Sequence, residues 1–255
     1  MVAITLLAIA VGCHGSQADP GAIQADTTLR PTVLAQIPHD PSAFTEGLEI
    51  DGANLYESTG LVGQSQLREL DPATGALRRA VALPPGYFGE GITVVGDRIW
   101  QVTYRNGVAI EWEKATLTPV REVQLSSEGW GLCWDGNRLV QSDGTAQLHF
   151  HSATDFAETG SVTVITRNGE PLTGLNALAC VDGQVWANVF PRDQIVRIDP
   201  ATGLVTAVVD ADALLAGPRA KDQVLNGITH LENQTFLLTG KYWPSIFRVR
   251  FDPAP

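Results

Sequence analysis

Positive charge is scarce in this chain: 17 Lys and Arg stand against 28 Asp and Glu, a net charge of −11. That balance argues against nucleic acid, whose phosphates demand clustered Lys and Arg. Long apolar runs are also missing. Beyond residue 12 no stretch approaches the roughly 20 apolar residues that a membrane span requires. Cysteine is sparse, and of three only Cys133 and Cys180 follow the first segment. Both fall in apolar strings, GLCWD and LACVD. Buried free thiols are therefore expected, although export would permit a disulfide. No convincing set of metal ligands appears, so no metal and no cofactor are expected.

Turn chemistry is what the chain has in quantity. Its 25 Gly and 15 Pro are spread evenly, which points to many short strands. Residues 1–12, MVAITLLAIAVG, form an apolar run of signal-peptide length followed by Cys13. Two readings stand. The run resembles a bacterial lipoprotein signal with Cys13 lipidated, or it is an ordinary cleaved secretory leader. Either exports the protein to the periplasm or beyond. Residues 17–28 then read as a flexible tether, which puts the start of the folded domain at residue 29.

Five segments share a small residue followed by Leu or Ile: Glu46-Gly47-Leu48, Glu90-Gly91-Ile92, Trp130-Gly131-Leu132, Asn176-Ala177-Leu178 and Asn226-Gly227-Ile228. Their spacings are 44, 40, 46 and 50 residues. A turn and a second strand follow each, then a third strand that twice ends in the same string, DPATG, at 71–75 and 199–203. Short strands in repeats of this length are the signature of propeller blades. The fifth repeat ends after its third strand, SIFRVRF at 245–251, and its missing fourth strand is available at Thr32–Ile37. Pairing the two ends closes the ring and removes an open sheet edge. The expectation is an all-β, five-bladed β-propeller over residues 29–255. With no free edge, a monomer is expected.

The first strand of a blade lines the channel, so Glu46, Glu90, Trp130, Asn176 and Asn226 should converge near the axis. Two carboxylates, two amides and an indole on an apolar scaffold read as a site.

The strings around this column carry a resemblance. His39-Asp40-Pro41-Ser42-Ala43-Phe44-Thr45-Glu46-Gly47-Leu48, Tyr56-Glu57-Ser58-Thr59-Gly60-Leu61, Phe88-Gly89-Glu90-Gly91-Ile92, Gly129-Trp130-Gly131-Leu132 with Ser142-Asp143-Gly144, Leu175-Asn176, Val185-Trp186-Ala187-Asn188, Leu225-Asn226-Gly227-Ile228 and Thr239-Gly240-Lys241-Tyr242-Trp243-Pro244 occur in order. Together they resemble the plant and bacterial type glutaminyl cyclases. The resemblance implies a five-bladed propeller that converts the N-terminal Gln of peptides or proteins to pyroglutamate, releasing ammonia. It implies Glu90 as catalytic acid/base, with Asn176 and Lys241 beside it. Phe44, Glu46, Phe88, Tyr104, Trp130, Phe190, Asn226 and Trp243 are expected to bind substrate. Tyr104 and Phe190 stand where the family commonly has Trp, and Glu46 where it often has Gln. Val62 and Gln64 also depart from the usual aromatic and basic choices.

The chemistry agrees with those residue types. An α-amine attacking its own side-chain amide needs no activated water, which removes the main reason to recruit a metal. One carboxylate of raised pKa can take the amine proton and supply the departing nitrogen. Lys241 and the Asn176 amide are the expected donors to the developing oxyanion, with the Trp130 indole N–H a weaker one. Glu46 is expected either to anchor the substrate ammonium or to raise the pKa of Glu90.

Elsewhere, His149 and His151 read as exposed strand positions, and His39 and His230 as local hydrogen-bonding residues. Trp100, Trp112, Trp134 and Trp186 read as packing residues. A non-catalytic cell-envelope binding propeller is the alternative reading. A hydrolytic propeller is a third, although it would need a metal or two separated carboxylates.

Overall fold

Short apolar stretches bounded by Gly, Asn and Asp turns form twenty β-strands in the computed structural model, which describes residues 22–215 and 217–254. The leader and Cys13 lie outside the described residues. Among those described, no helix is long and apolar enough to cross a membrane.

The strands assemble as antiparallel groups in chain order. The first group is β2 (Thr45–Asp51), β3 (Asn54–Thr59), β4 (Gln66–Leu70) and β5 (Leu77–Ala82). The second is β6 (Gly89–Val95), β7 (Arg98–Thr103), β8 (Val108–Glu113) and β9 (Thr118–Gln124). The third is β10 (Leu132–Trp134), β11 (Leu139–Ser142), β12 (Gln147–His151) and β13 (Glu158–Thr163). A larger sheet joins β14 (Leu175–Val181), β15 (Gln184–Val189), β16 (Gln194–Ile198) and β17 (Val205–Asp210) to β18 (Leu225–Glu232), β19 (Thr235–Gly240) and β20 (Ser245–Pro253). The joining strand is β1 (Thr27–Pro38), antiparallel to β20 from Leu29↔Pro253 to Pro38↔Ser245 and briefly parallel to β17. Strands β2, β6, β10, β14 and β18 pack each against the next, and β18 returns to β2. The arrangement is propeller-like.

Burial follows position within each group. The second strands β3, β7, β15 and β19 are buried almost throughout, whereas β5, β9 and β13 are largely exposed. The core therefore lies between neighbouring sheets, where Trp100, Trp112, Tyr56 and Phe236 are fully buried. The DPATG strings close the β4–β5 and β16–β17 turns. Asp71 and Asp199 accept backbone N–H bonds from the residues that follow, and Gly75 and Gly203 take φ near +70°. A Cβ at either glycine would collide with the carbonyl of Pro38 or Thr163.

Three expectations change. The tether is shorter than residues 17–28, because Ile23 is buried, Asp26 pairs with Arg167 and β1 starts at Thr27. Cys133 and Cys180 are joined in a disulfide, with Cα atoms 5.5 Å apart, and are not free thiols. The bridge staples neighbouring inner strands β10 and β14, a proximity that 47 residues of separation hide. His151 is buried against Phe156, its ring 4.6 Å away, and His149 is held between Asp143 and Glu158. Neither histidine is an open strand position.

Candidate active site

The column residues reach the axis because the inner strands are bulged where they begin. Pairing slips between Thr45 and Gly47, Gly89 and Ile92, Leu175 and Leu178, and Leu225 and Ile228. Glu46, Glu90, Asn176 and Asn226 each fall inside one of these bulges, which re-aim side chains off the sheet faces. The residue that follows is small for a steric reason. A Cβ at Gly47 would press on the Ile92 backbone, one at Gly91 on Leu132 and Gly131, and one at Gly131 on Asn176. The inner strands meet backbone to backbone there, and Gly91 N–H donates to the Trp130 carbonyl at 2.8 Å.

A cavity of about 180 Å³ opens over this ring, lined by Phe44, Glu46, Phe88, Glu90, Tyr104, Trp130, Asn176, Phe190 and Lys241. Its wall is a run of edge-on or tilted aromatic contacts: Tyr242 to Phe44 (5.1 Å), Phe44 to Phe88 (6.0 Å), Phe88 to Tyr104 (5.7 Å), Tyr104 to Trp130 (6.2 Å) and Trp130 to Phe190 (5.9 Å). Such pairs are each worth about 0.5–1.5 kcal/mol beyond the area they bury. Lys241 closes the circuit, with Nζ 4.4 Å from the Phe44 ring centre and 5.4 Å from that of Phe190.

Beneath the aromatics lies a buried polar cluster. Lys241 Nζ donates to Glu46 Oε1 at 2.7 Å, and Asn226 Nδ2 donates to Glu46 Oε2 at 2.8 Å. The carboxyls of Glu46 and Glu90 are themselves hydrogen-bonded. Burial raises Glu90 well above the ordinary carboxylic range, and the Glu46 charge adds to this while Lys241 opposes it. Burial pushes Glu46 up as well, against the pull of Lys241 and Asn226. Two carboxyls in contact cannot both ionise cheaply. With a cation and an amide donating to Glu46, the charge belongs on Glu46 and the proton on Glu90. Glu90 Oε2 and Asn176 Oδ1 are buried with no hydrogen-bond partner, which is costly unless a ligand supplies one.

A family profile described as glutamine cyclotransferase matches residues 4–251. This chain belongs to the glutamine cyclotransferase family. Its members are acyl-transferring enzymes. The glutaminyl-peptide cyclotransferase of Arabidopsis thaliana is 35% identical over 230 residues, which cover 87% of this chain and 71% of the plant protein. The crystal structure of glutaminyl cyclase from Myxococcus xanthus superposes with a TM-score of 0.83 at 34% identity, covering 90% of this chain and 99% of that one. BamB from Moraxella catarrhalis, 13% identical with a TM-score of 0.50 over 87% of this chain and 98% of its own, shares the fold alone.

Within this cyclotransferase, nine of the eleven residues singled out in the sequence line one cavity. Two do not. Trp243 is fully buried, edge-on to Phe247 at 5.9 Å. Its indole packs where a Cβ on Gly240 would sit, so it braces the turn that carries Lys241 instead of touching substrate. Asn226 is also fully buried and serves Glu46. Two roles shift as well. Glu46 is saturated by Lys241, Asn226 and Glu90 and is closed to a substrate ammonium. The Trp130 indole N–H is committed to Glu128 at 3.1 Å and is no oxyanion donor. The Asn176 side-chain amide is uncommitted among the described residues: its Oδ1 is buried without a partner and its Nδ2 makes no hydrogen bond, so its donor stays free for the substrate.

Two further residues at the site, Tyr242 and Glu128, are not among those the sequence singles out. Tyr242 takes φ +59°, its N–H donates to the Ala43 carbonyl, and its ring extends the collar. It stands inside the TGKYWP string, next to Trp243. Glu128 bonds Trp130 and pairs with Arg105, which lies over the Tyr104 ring. Nothing in its local string, SSEGW, signals that contact.

His39 belongs to a second buried network. Its Nε2 meets Glu57 at 2.8 Å and Nδ1 meets the Trp243 carbonyl, while Glu57 also takes Thr45 and Arg68. The cluster ties the 39–44 loop to β3 and β4, behind Phe44. His230 bonds the Asn233 carbonyl, a local turn contact.

Proposed function

We propose that this chain cyclises the N-terminal Gln of peptides or proteins to pyroglutamate with release of ammonia, on a five-bladed propeller whose ring is closed by β1. The single observation that carries the reading is Glu90: a buried, proton-bearing carboxyl with one unpartnered oxygen, at the floor of an aromatic cavity. The cyclic packing of β2, β6, β10, β14 and β18 supports the blade count, and the β1–β20 pairing supports the closure.

The substrate side chain enters among Phe44, Phe88, Tyr104, Trp130 and Phe190. Their walls hold the folded conformer that brings the amine to the amide carbon and keep water out. The Asn176 amide, with neither Oδ1 nor Nδ2 committed, hydrogen-bonds the substrate amide, its Nδ2 donating to the carbonyl oxygen. The neutral amine attacks Cδ, and the carbonyl oxygen gains negative charge facing the Lys241 ammonium. Glu90 gives its proton to the departing NH₂ as the C–N bond breaks and recovers one from the attacking nitrogen. Ammonia leaves, the lactam remains, and the enzyme's proton inventory is unchanged. Glu46 keeps Lys241 in place and Glu90 protonated. Because the reaction is intramolecular, the mechanism calls on no metal or cofactor.

The apolar run before Cys13 supports export, with either lipidation at Cys13 or simple cleavage. The pairing of β1 with both β20 and β17, which covers the edge where the two ends of the chain meet, supports a monomer.

Ammonia release from a Gln-initiated dipeptide amide, with and without a chelator, tests the activity. Turnover that survives the chelator and vanishes in Glu90→Gln supports the mechanism. No turnover of any Gln-initiated peptide by folded protein would transfer the site to the binding-propeller reading.

A further inference from the structure

Beside the catalytic cavity lies a second one of about 370 Å³, which shares Phe44 as a wall and is otherwise built by the 39–44 and 60–66 segments and Arg68. The two segments are tied together, since Gly60 N–H donates to the Phe44 carbonyl at 2.8 Å. Leu61 and Gly63 both take φ +78°, and Ser65 bonds back to Leu61, which holds the second loop in a tight turn. The lining is polar: the Ser42 hydroxyl, the amides of Gln64 and Gln66, and the Asp40 carboxylate.

Charge in this groove is one-sided where it meets solvent. The Asp40 side chain is 41% exposed, whereas Arg68 is 7% exposed and its guanidinium is divided between Asp40 (2.9 Å) and buried Glu57 (3.2 Å). Ser42 donates to Asp40 through both its N–H and its hydroxyl, and burial is outweighed by these bonds and by Arg68, so Asp40 stays ionised. A ligand in the groove therefore meets an accessible carboxylate and a cation already spent.

The catalytic cavity is floored by the buried Glu46–Lys241–Asn226 cluster. A peptide whose first residue fills it must leave by the mouth, and two extended residues span about 7 Å. We propose that the Asp40–Gln64 groove receives the second and third residues of the peptide and favours basic side chains there over acidic ones. This rests on the cyclase reading and adds a subsite to it. The amides of Gln64 and Gln66 serve the peptide backbone, and Asp40 serves the cation.

The test compares kcat/KM, by ammonia release, for Gln-Gly-amide, Gln-Lys-Lys-amide and Gln-Glu-Glu-amide. Wild-type enzyme, Asp40→Asn, Gln64→Lys and the remote control Asp97→Asn are measured alike. Asp97 is 79% exposed, so its variant changes net charge without touching the groove. The wild type and Asp97→Asn should prefer Lys-Lys over Glu-Glu by about fivefold, the upper end of what one exposed ion pair supplies. Asp40→Asn should bring that ratio toward one, and exposed Gln64→Lys should do so without any risk to folding. A wild-type ratio near one overturns the proposal, as does a ratio that survives both groove variants or collapses equally in Asp97→Asn. No turnover of Gln-Gly-amide by wild-type enzyme would defeat the cyclase reading and the subsite with it, whereas turnover without side-chain preference defeats the subsite alone.

Discussion

Lys241 Nζ lies 2.7 Å from Glu46 Oε1 although the two residues are 195 positions apart. The contact joins the end of β19 to the start of β2, and it decides how the site is charged. One cation faces two touching carboxyls, so one carboxylate is neutralised and the other, Glu90, keeps a proton and has one oxygen left unpartnered. A lone buried carboxylate would have no such division of labour.

Glu90→Gln keeps the side-chain volume and removes the proton shuttle. It is expected to lower kcat by about 10²- to 10⁴-fold, the usual worth of general acid–base catalysis, with an unchanged melting temperature. Steady-state ammonia release and a thermal melt check this. A variant that kept more than about a tenth of wild-type kcat would remove Glu90 from the shuttle role.

Glu46→Gln should act through pH. The Glu46 charge helps hold Glu90 protonated, and without it Lys241 is also left uncompensated beside Glu90. Both effects lower the Glu90 pKa, so the protonated, working form is lost at lower pH. The alkaline limb of the kcat profile should move down by about one unit. The acid limb, set by the substrate ammonium, should stay. An unmoved alkaline limb, or one displaced upward, would contradict the charge assignment.

Lys241→Met strands the buried Glu46 carboxylate, and breaking a buried pair in this way costs about 3–5 kcal/mol. Adding Glu46→Gln should restore most of that stability while activity remains absent. Denaturant midpoints and kcat for the two singles and the double separate the structural role of the pair from the catalytic role of the ammonium. Full activity in the double variant would show that Lys241 has no part in the chemistry.

The Cys133–Cys180 bridge closes a loop of 47 residues. Chain-entropy arguments give it about 4 kcal/mol. A Cys133→Ala/Cys180→Ala variant should unfold at lower denaturant concentration and lose the wild type's sensitivity to reductant. Its kcat at moderate temperature should be unchanged, since neither cysteine lines the catalytic cavity.

Much of this architecture is legible in the amino-acid sequence. Glu46, Glu90, Asn176 and Asn226 stood out because each breaks an apolar strand pattern at the same place in successive repeats, and all four prove to sit in bulges at the strand starts. The rest was hidden for specific reasons. Trp243 and Tyr242 are adjacent, and the left-handed backbone at Tyr242 sends one ring to the collar and the other to the core. The cysteines looked like isolated apolar residues because strand neighbours 47 positions apart leave no local trace. Glu128 gave no signal in the sequence, because its contact with the Trp130 indole depends on how the chain folds around it.

The sequence alone determined the repeating strand unit, the turns that end it, and the residue types available at the axis. Those are local properties, set by side-chain period, by Asp-capped turns and by glycines where backbones must touch. Which carboxyl holds the proton, which cation faces it, and which amide oxygen is left without a partner were decided by tertiary structure. The physical reason is that desolvation and pairing act between groups brought together across the ring, and neither can be read from residues that are far apart along the chain.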